Sequence, residues 1–300
     1  MDAPPLDLTD GLIRLILKTV MHSLSPISPF KRAYRSGGRK PFGLVHRQKP
    51  LKVDFHLHTA DDPLDRVGYT AKELILKAAD EEFDVISITN HDRLTFNQDL
   101  FDYAHEMDIL LIPGIEMTIE NRHVLVLNPP RNRTVSDFSS LSRLRRPETL
   151  IIAPHPYFPA IHSLNGHLLK HLDLFDALEY CHFYSPRINF NQKVLHVSRA
   201  KDFPLIGNSD THFLSQLGTT YSMIHAEKNM NSVFAAVRAN RIEVITRPLS
   251  PLEIGSIARR FLKMKLTGKP VKPGKWSRSR TTLARSHSLS KEFRKPSQAA

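Results

Sequence analysis

The sequence has very little cysteine and tryptophan and no long hydrophobic run. Its single cysteine, Cys181, excludes an internal disulfide framework and a zinc site built from four cysteines. There is no run of about 18 uncharged apolar residues, which excludes an ordinary membrane-spanning helix. Because 41% of the 300 residues are hydrophobic and 24% are charged, the chain can bury a core. Collagen-like, coiled-coil and wholly disordered structures are therefore excluded.

The charge is distributed unevenly along the chain. The formal net charge is +12, yet residues 51–257 carry a net −6 and the two ends are strongly basic. We predict three parts from this pattern. Residues 1–50 form an amphipathic helix and a basic linker, residues 51–250 form a folded central domain, and residues 251–300 form a basic amphipathic helix with a disordered tail.

Short apolar segments alternate with helical patterns in the central domain. Thr70 and Glu73 form a capping box at the start of a helical pattern over Thr70–Glu82. Segments such as Val85–Thr89 are rich in β-branched residues and too short for a helix. About seven strand–helix units within about 200 residues predict an α/β fold, and they favour a barrel of parallel strands over an open sheet.

Histidines and carboxylates stand at the predicted strand ends. In an extended chain, residues i and i+2 point to the same side, so His56 and His58 face one point. The carboxyl ends of parallel strands are where sites assemble in α/β folds. The candidate metal ligands at these positions are His56, His58, His91, Glu116, His123, His155, Asp210 and His212.

This set of ligands indicates the kind of metal and the number of ions. It contains imidazoles and carboxylates but no thiolate, which suits Mn, Zn or Fe. It exceeds the needs of one tetrahedral site, so we predict two or three divalent ions with at least one bridging carboxylate. Clustered ions can polarise a phosphoryl oxygen and activate a water, and we therefore predict hydrolysis of a phosphoester.

The ordered motifs resemble those of a known family. His56-Leu57-His58-Thr59, Thr89-Asn90-His91-Asp92, Gly114-Ile115-Glu116, His123, His155-Pro156 and Ser209-Asp210-Thr211-His212 resemble the motif series of the PHP (polymerase and histidinol phosphatase) family over about residues 51–247. The resemblance implies a distorted (β/α)7 barrel with a metal site at the C-terminal ends of the strands.

The resemblance also implies how the ligands are shared among three ions. The first ion would be held by His56, His58, Glu116 and Asp210. Glu116 would bridge to a second ion, which His123 and His155 would also hold. The third ion would be held by His91 and His212, with an acidic residue from the loop after the first motif.

The chain departs from the family pattern in that loop. Family members commonly place an acidic residue five positions after the second histidine, where this sequence has Pro63. Asp61, Asp62 and Asp65 lie nearby, and Asp62 is favoured as the ligand of the third ion. Asn90 stands where the family commonly has an aspartate.

Residues just beyond the strand ends are candidates for binding the substrate. Arg93 and Arg187 could contact a phosphate through bidentate hydrogen bonds. Tyr157 and the pair His182-Phe183 could line a pocket, and packing at the barrel rim is an equally good interpretation of both.

We expect a small phosphomonoester, such as a nucleotide or a nucleoside bisphosphate, to be hydrolysed by a metal-activated water. Asp210 or His212 would transfer protons. One alternative is a 5′–3′ exonuclease on short oligonucleotides. Another is a non-catalytic metal-binding module that is localised by its basic ends. Hydrolysis of a C–N bond is disfavoured by the Ser209–His212 motif.

The basic ends indicate partners other than the small substrate. Leu8–Leu24 and Ile254–Leu266 have amphipathic patterns, and such helices can bind an anionic membrane surface or nucleic acid. A helix docked on the core and followed by a solvated tail is slightly favoured for each end. We expect a cytoplasmic protein, with a peripheral position at a membrane as an alternative, and the sequence predicts no oligomeric state.

Overall fold

The structure is a computed structural model that describes residues 32–34, 49–131 and 135–273. The helix predicted over Leu8–Leu24 and the tail predicted after residue 273 lie outside the described residues. The division of the chain at residues 50 and 251 stays a prediction. In the described part, no helix is both long and apolar enough to cross a membrane.

Ten described strands form one continuous sheet. They are β1 (Arg32–Tyr34), β2 (Leu51–Leu57), β3 (Val85–Ile88), β4 (Leu110–Ile119), β5 (Arg122–Leu127), β6 (Leu150–Ala153), β7 (Ala177–Cys181), β8 (Leu205–Asn208), β9 (Thr220–Ile224) and β10 (Ile242–Thr246). Their order in the sheet is β1-β10-β9-β2-β3-β4-β5-β6-β7-β8. The strands β2 to β8 contain the segments for which the sequence predicts strands.

Apart from α4, which the sequence does not predict, the helices lie in stretches that have helical patterns. They are α1 (Ala71–Asp80), α2 (Gln98–Glu106), α3 (Phe138–Leu141), α4 (Gly166–Lys170), α5 (Asn191–Lys201), α6 (Met230–Arg238) and α7 (Pro251–Thr267). The predicted capping box is present at α1, where Thr70 accepts from the backbone N–H of Glu73 and the Glu73 carboxylate accepts from the backbone N–H of Thr70.

The barrel-like α/β class is confirmed, whereas the count of seven strand–helix units is not. Strand β5 pairs antiparallel with both β4 and β6, and β9 pairs antiparallel with both β2 and β10. The turn between β4 and β5 is two residues long, with Glu120 and Asn121 at φ 47° and 59°. Such a turn joins antiparallel strands, because a parallel connection needs a dozen or more residues.

Strand β8 lies at one end of the sheet order, and side chains join it to β9 and β2. The hydroxyl of Ser222 on β9 accepts from the backbone N–H of Gly207 and donates to its carbonyl, at 2.8 and 3.0 Å. The side-chain oxygen of Asn208 accepts from the backbone N–H of Phe55 on β2 at 2.9 Å. A Cβ at Gly207 would lie 2.6 Å from Val244 on β10, so a residue without a side chain allows this close approach.

The final helix packs on the barrel. Ile254, Ile257, Phe261 and Met264 of α7 are buried, and they form a cluster with Phe183 beyond β7. These positions recur every three or four residues, which is the spacing of one helix face. The sequence predicts a helix at this place, and in the structure its apolar face is part of the core.

Candidate metal centre

The first side chains of the site follow from the alternation along β2. Phe55 packs in the apolar core, and the neighbouring residues Asp54 and His56 point to the opposite face. The pairing of β2 with β3 shifts in register between Asp54 and Leu57, just before His58. Irregularities of this kind redirect side chains at strand ends and are common beside functional sites.

Asp54 joins β2 to the segment after β8. Its carboxylate accepts from the backbone N–H groups of Ser209 and His56, each at 3.2 Å, and from the Ser209 hydroxyl. Burial raises the pKa of Asp54 to about 7 against the opposing effect of these hydrogen bonds. The contacts fix the start of the segment that carries Asp210.

Glu116 on β4 lies at the centre of the site. Strand β4 comes very close to β3 at Gly114, where a Cβ would lie 2.1 Å from the Ser87 hydroxyl and 2.7 Å from a Thr89 methyl group. A larger residue at Gly114 would push the strands apart, and it would displace Glu116 two residues further on. The glycine therefore sets the depth at which the carboxylate sits.

The two carboxylate oxygens of Glu116 are surrounded by imidazoles. Five histidines each place a ring nitrogen between 2.8 and 3.3 Å from these oxygens, namely His56, His58, His91, His123 and His155. The antiparallel turn after β4 contributes to this arrangement, because it brings His123 on β5 back beside Glu116. All six side chains are buried.

Asp210 closes the site from the segment after β8. Its Oδ1 lies 3.3 Å from Nε2 of both His56 and His58, and 3.5 Å from Nδ1 of His212. Asp210 has a left-handed backbone with φ 45°, and His155 has φ 30°. Non-glycine residues in this region are uncommon and cluster at functional sites, where the surrounding structure holds them.

Asp62 contacts two of the histidines from the loop after β2. Its Oδ2 lies 2.8 Å from Nδ1 of His58 and 2.9 Å from Nδ1 of His91, and the two carboxylate oxygens also accept three backbone N–H groups. The Nε2 atoms of both rings face Glu116. Asp62 is therefore placed to orient the rings that point into the site.

Asp65 is the loop carboxylate that contacts His212. Its Oδ2 lies 2.9 Å from Nε2 of His212 and 3.6 Å from Nδ1 of His91. The expected partnership of Asp62 with His91 and His212 stays a prediction, because the structure brings Asp62 to His91 but places Asp65 against His212. From the sequence alone, Asp62 is the favoured ligand of the third ion.

Four groups of three side chains have ligand atoms close enough to hold one ion each. They are His56 with Glu116 and His155, His56 with His58 and Asp210, His58 with Asp62 and His91, and His91 with Glu116 and His123. Members are shared among the groups, and Glu116 belongs to two of them. All nine predicted metal ligands thus lie in one cluster, with His212 attached through Asp65 and Asp210.

The electrostatics of the cluster favour a bound cation. Burial opposes ionisation of Glu116, yet the neighbouring imidazoles, that of His123 foremost, hold its pKa well below the usual value. Burial also disfavours charge on His56, but Asp210 and Glu116 outweigh it and raise its pKa. A proton and a divalent cation compete for such positions. Burial lowers the pKa of His123 to about 4, which leaves that ring neutral near pH 7.

Glu179, for which the sequence predicts no role, is a buried glutamate that contacts the ligand His56. Glu179 on β7 is fully buried, and its Oε2 lies 3.1 Å from Nδ1 of His56. The same oxygen accepts from the backbone N–H of His155 at 3.3 Å. A carboxylate among the apolar residues of a short predicted strand could have identified Glu179 from the sequence, since glutamate is rarely buried without a partner.

A cleft of about 660 Å³, partly open to solvent, leads to the cluster. The cleft is lined by ligand side chains, among them Glu116 and Asp210, and by the aromatic rings of Phe158, Phe183 and Phe261. Phe261 comes from α7, and its ring lies 6.0 Å from that of His212. Cys181 also lines the cleft, where burial raises the pKa of its thiol well above the usual range.

The predicted substrate-binding residues lie elsewhere. Arg93 is exposed and donates to the backbone carbonyl of Asp61 at 3.2 Å. Tyr157 is half-buried with the Lys193 ammonium 5.9 Å from its ring centroid, and Arg187 is exposed. None of the three residues lines the cleft, although the alternative pair His182-Phe183 does. Their role in binding substrate stays a prediction.

A family model and several known proteins are similar to parts of this chain. A family model described as PHP-associated matches residues 189–242, which include β8, β9 and the segment of Asp210 and His212. The match covers 54 of the 300 residues and agrees with the resemblance of the ordered ligand series to the PHP family. A protein of Methanocaldococcus jannaschii of unassigned function is 27% identical over 144 residues, which are 45% of this chain and 83% of the relative.

Several solved structures are similar to this chain at low sequence identity. PsfC from Pseudomonas syringae is 14% identical with a TM-score of 0.50, over 73% of this chain and 100% of that chain. A protein of Bifidobacterium adolescentis assigned as a metal-dependent phosphoesterase is 13% identical with a TM-score of 0.45, over 55% and 89%. The lesion-specific endonuclease Q of Pyrococcus furiosus is 14% identical with a TM-score of 0.47, over 63% and 56%.

Proposed function

We propose that this protein hydrolyses a small phosphomonoester with two or three divalent ions held by the cluster around Glu116. The observation that carries the proposal is the buried carboxylate with five imidazole nitrogens within 3.3 Å of its oxygens. Burying this many titratable groups is costly for an apolar core, and a cation that they ligate would offset the cost.

The side chains fit divalent ions. Nε2 of His58 is buried without a hydrogen-bond partner among the described residues, although Glu116 and Asp210 oxygens lie 3.3 Å away. A ring nitrogen aimed at two carboxylates without hydrogen-bond geometry suits a lone pair directed at a metal ion. Imidazole and carboxylate ligands favour Mn, Zn or Fe. Bound ions would supply charge neutralisation of the phosphoryl group and a water of lowered pKa.

The residues of the chain have distinct roles in the proposal. His56, His58, Glu116 and Asp210 hold one ion, and Glu116 with His123 and His155 holds the next. The third position is bordered by His91, His212 and Asp65, which we prefer to Asp62 there because of its contact with His212. In this proposal Asp210 and His212, which lie 3.5 Å apart, accept and return a proton at the reacting oxygen.

The cleft supports a substrate with an apolar or aromatic group. Phe158 and Phe183 meet edge to face at 5.7 Å, and with Phe261 they contribute aromatic surface to the lining of the cleft. No lysine or arginine of the described residues lines the cleft. A second phosphate would find no cationic partner there, so a mononucleotide or an aryl phosphate suits the cleft better than a bisphosphate.

A second candidate function is exonuclease activity on short oligonucleotides. The observation that favours it is the position of α7, which supplies Phe261 to the cleft and also carries Arg259, Arg260 and Lys263. The Arg260 guanidinium lies 5.3 Å from the centroid of Phe213, next to His212. A basic helix at the mouth of the cleft could attract the phosphates of a nucleic acid strand.

Full-length protein loaded with Mn should be tested against an aryl phosphate, mononucleotides, nucleoside bisphosphates and oligonucleotides. We expect turnover of monoesters, and we expect His56→Ala and Asp210→Ala each to lower it by more than about a hundredfold. His196→Ala, at an exposed position of α5, is the control. Full turnover in both site variants would place the active site elsewhere, and preferential cleavage of oligonucleotides would support the exonuclease.

A further inference from the structure

His182 is a buried histidine on the wall of the cleft that the proposed reaction does not use. It follows β7, is 3% exposed and lines the cleft together with Gln216. Its Nε2 lies 2.9 Å from the side-chain nitrogen of Gln216. Its Nδ1 is buried and has no hydrogen-bond partner among the described residues. Most buried polar atoms in native proteins have a hydrogen-bond partner, so the absence of one at Nδ1 needs an explanation.

The environment of Gln216 fixes which nitrogen of His182 carries the proton. The carbonyl oxygen of the Gln216 side chain accepts from the backbone N–H groups of His212 and Phe213, at 3.0 and 2.7 Å. The amide group must therefore donate from its nitrogen to Nε2 of His182. A neutral imidazole that accepts at Nε2 carries its proton on Nδ1.

The ring is held in the neutral form. Burial lowers the pKa of His182 to about 4, so near pH 7 only one nitrogen is protonated. Charged groups of the cluster influence the ring, Asp210 and His212 being the strongest among them. His182, a residue that lines the cleft, thus carries a buried N–H donor at Nδ1 that has no acceptor within the described protein.

We propose that Nδ1–H of His182 donates a hydrogen bond to a phosphoryl oxygen of the substrate, with Gln216 fixing the tautomer. The inference rests on the proposed phosphoester hydrolysis and adds a substrate-binding residue to it. A bound phosphoryl group would supply the missing acceptor, and a neutral donor recognises it without adding positive charge to a site that binds cations.

Two substitutions separate the proposed donor from the rest of the ring. Asparagine places an N–H near the position of Nδ1 of His182, whereas glutamine reaches the position of Nε2 and lacks a donor at Nδ1. In Mn-loaded full-length protein, calorimetry with inorganic phosphate should show about 10- to 100-fold weaker binding for His182→Gln and binding within about threefold of wild type for His182→Asn. His196→Asn is the matched control at an exposed histidine.

Nuclear magnetic resonance gives a readout that needs neither metal nor turnover. A long-range nitrogen–proton correlation spectrum should show His182 protonated at Nδ1, with the signal assigned by its loss in His182→Asn. A ring protonated at Nε2, or equal phosphate binding by His182→Gln and wild type, would overturn the inference. Turnover of an aryl phosphate by the wild type tests the proposed function separately, since the tautomer and phosphate binding are measured without it.

Discussion

Glu179 provides the sharpest test of how the cluster is supported. Its carboxylate lies 3.1 Å from Nδ1 of His56, and the opposite nitrogen of that ring faces Glu116 and Asp210. A carboxylate in this position fixes the tautomer and the orientation of a metal-binding ring. Glu179→Gln preserves the shape of the side chain but removes the charge, so we expect weaker metal binding in a folded protein.

The expected magnitude follows from this single contact. Removing such an outer partner commonly weakens metal binding by about 10- to 100-fold, or about 1.4 to 2.7 kcal/mol. At a free metal concentration of about 100 times the dissociation constant, a bound ion stabilises a fold by about 2.7 kcal/mol. A 30-fold weaker site at the same concentration would contribute about 0.9 kcal/mol, a loss of about 1.9 kcal/mol.

Two measurements test this prediction. Competition with a chelating dye gives the affinity for Mn, and chemical unfolding with and without Mn gives the metal-dependent part of the free energy of unfolding. Glu148→Gln, at an exposed position, removes the same charge away from the cluster and should change neither quantity. Equal Mn affinity in Glu179→Gln and wild type, within about twofold, would show that the contact with His56 does not support metal binding.

Two further predictions concern the cleft wall and the frame of the barrel. Phe261→Ala should raise KM for an aryl phosphate by about tenfold and leave Mn affinity unchanged, because the ring offers apolar surface and no ligand. An unchanged KM in steady-state kinetics would contradict a contact between this ring and the substrate. Arg238→Ala should lower the free energy of unfolding by about 2 kcal/mol in urea titrations at unchanged kcat, because the guanidinium binds Asp176 at 3.0 Å and the backbone carbonyl of Pro147 at 2.8 Å, remote from the cleft.

Much of the site could be predicted because most of the ligands stand at or near the end of a predicted strand. The segments before His56, His91 and Asp210 are short and apolar, and a polar residue after such a run is easy to recognise. The ends of strands converge in an α/β barrel, so the sequence order of the motifs predicts that the ligands meet. The structure brings all nine predicted ligands together in one cluster.

Other features depend on contacts across long distances in the sequence. Glu179 is buried because His56 lies beside it, 123 positions away. The choice between Asp62 and Asp65 depends on how the loop between β2 and α1 folds against His212, which spacing does not reveal. Strands β9 and β10 show alternating burial, and this period-two pattern in the sequence is a signal that could have identified them.

The junction of β8 with β9 and β2 affects how fast the amide hydrogens of β8 exchange. Beside the contacts of Ser222 and Asn208, the segment that follows β8 meets β2 through a parallel bridge between Thr211 and Leu57. Asp210 and the His56–His58 pair lie on opposite sides of this junction. An ion that binds both sides would act as a staple across it, so amide hydrogens along β8 would exchange more slowly once the ion is in place.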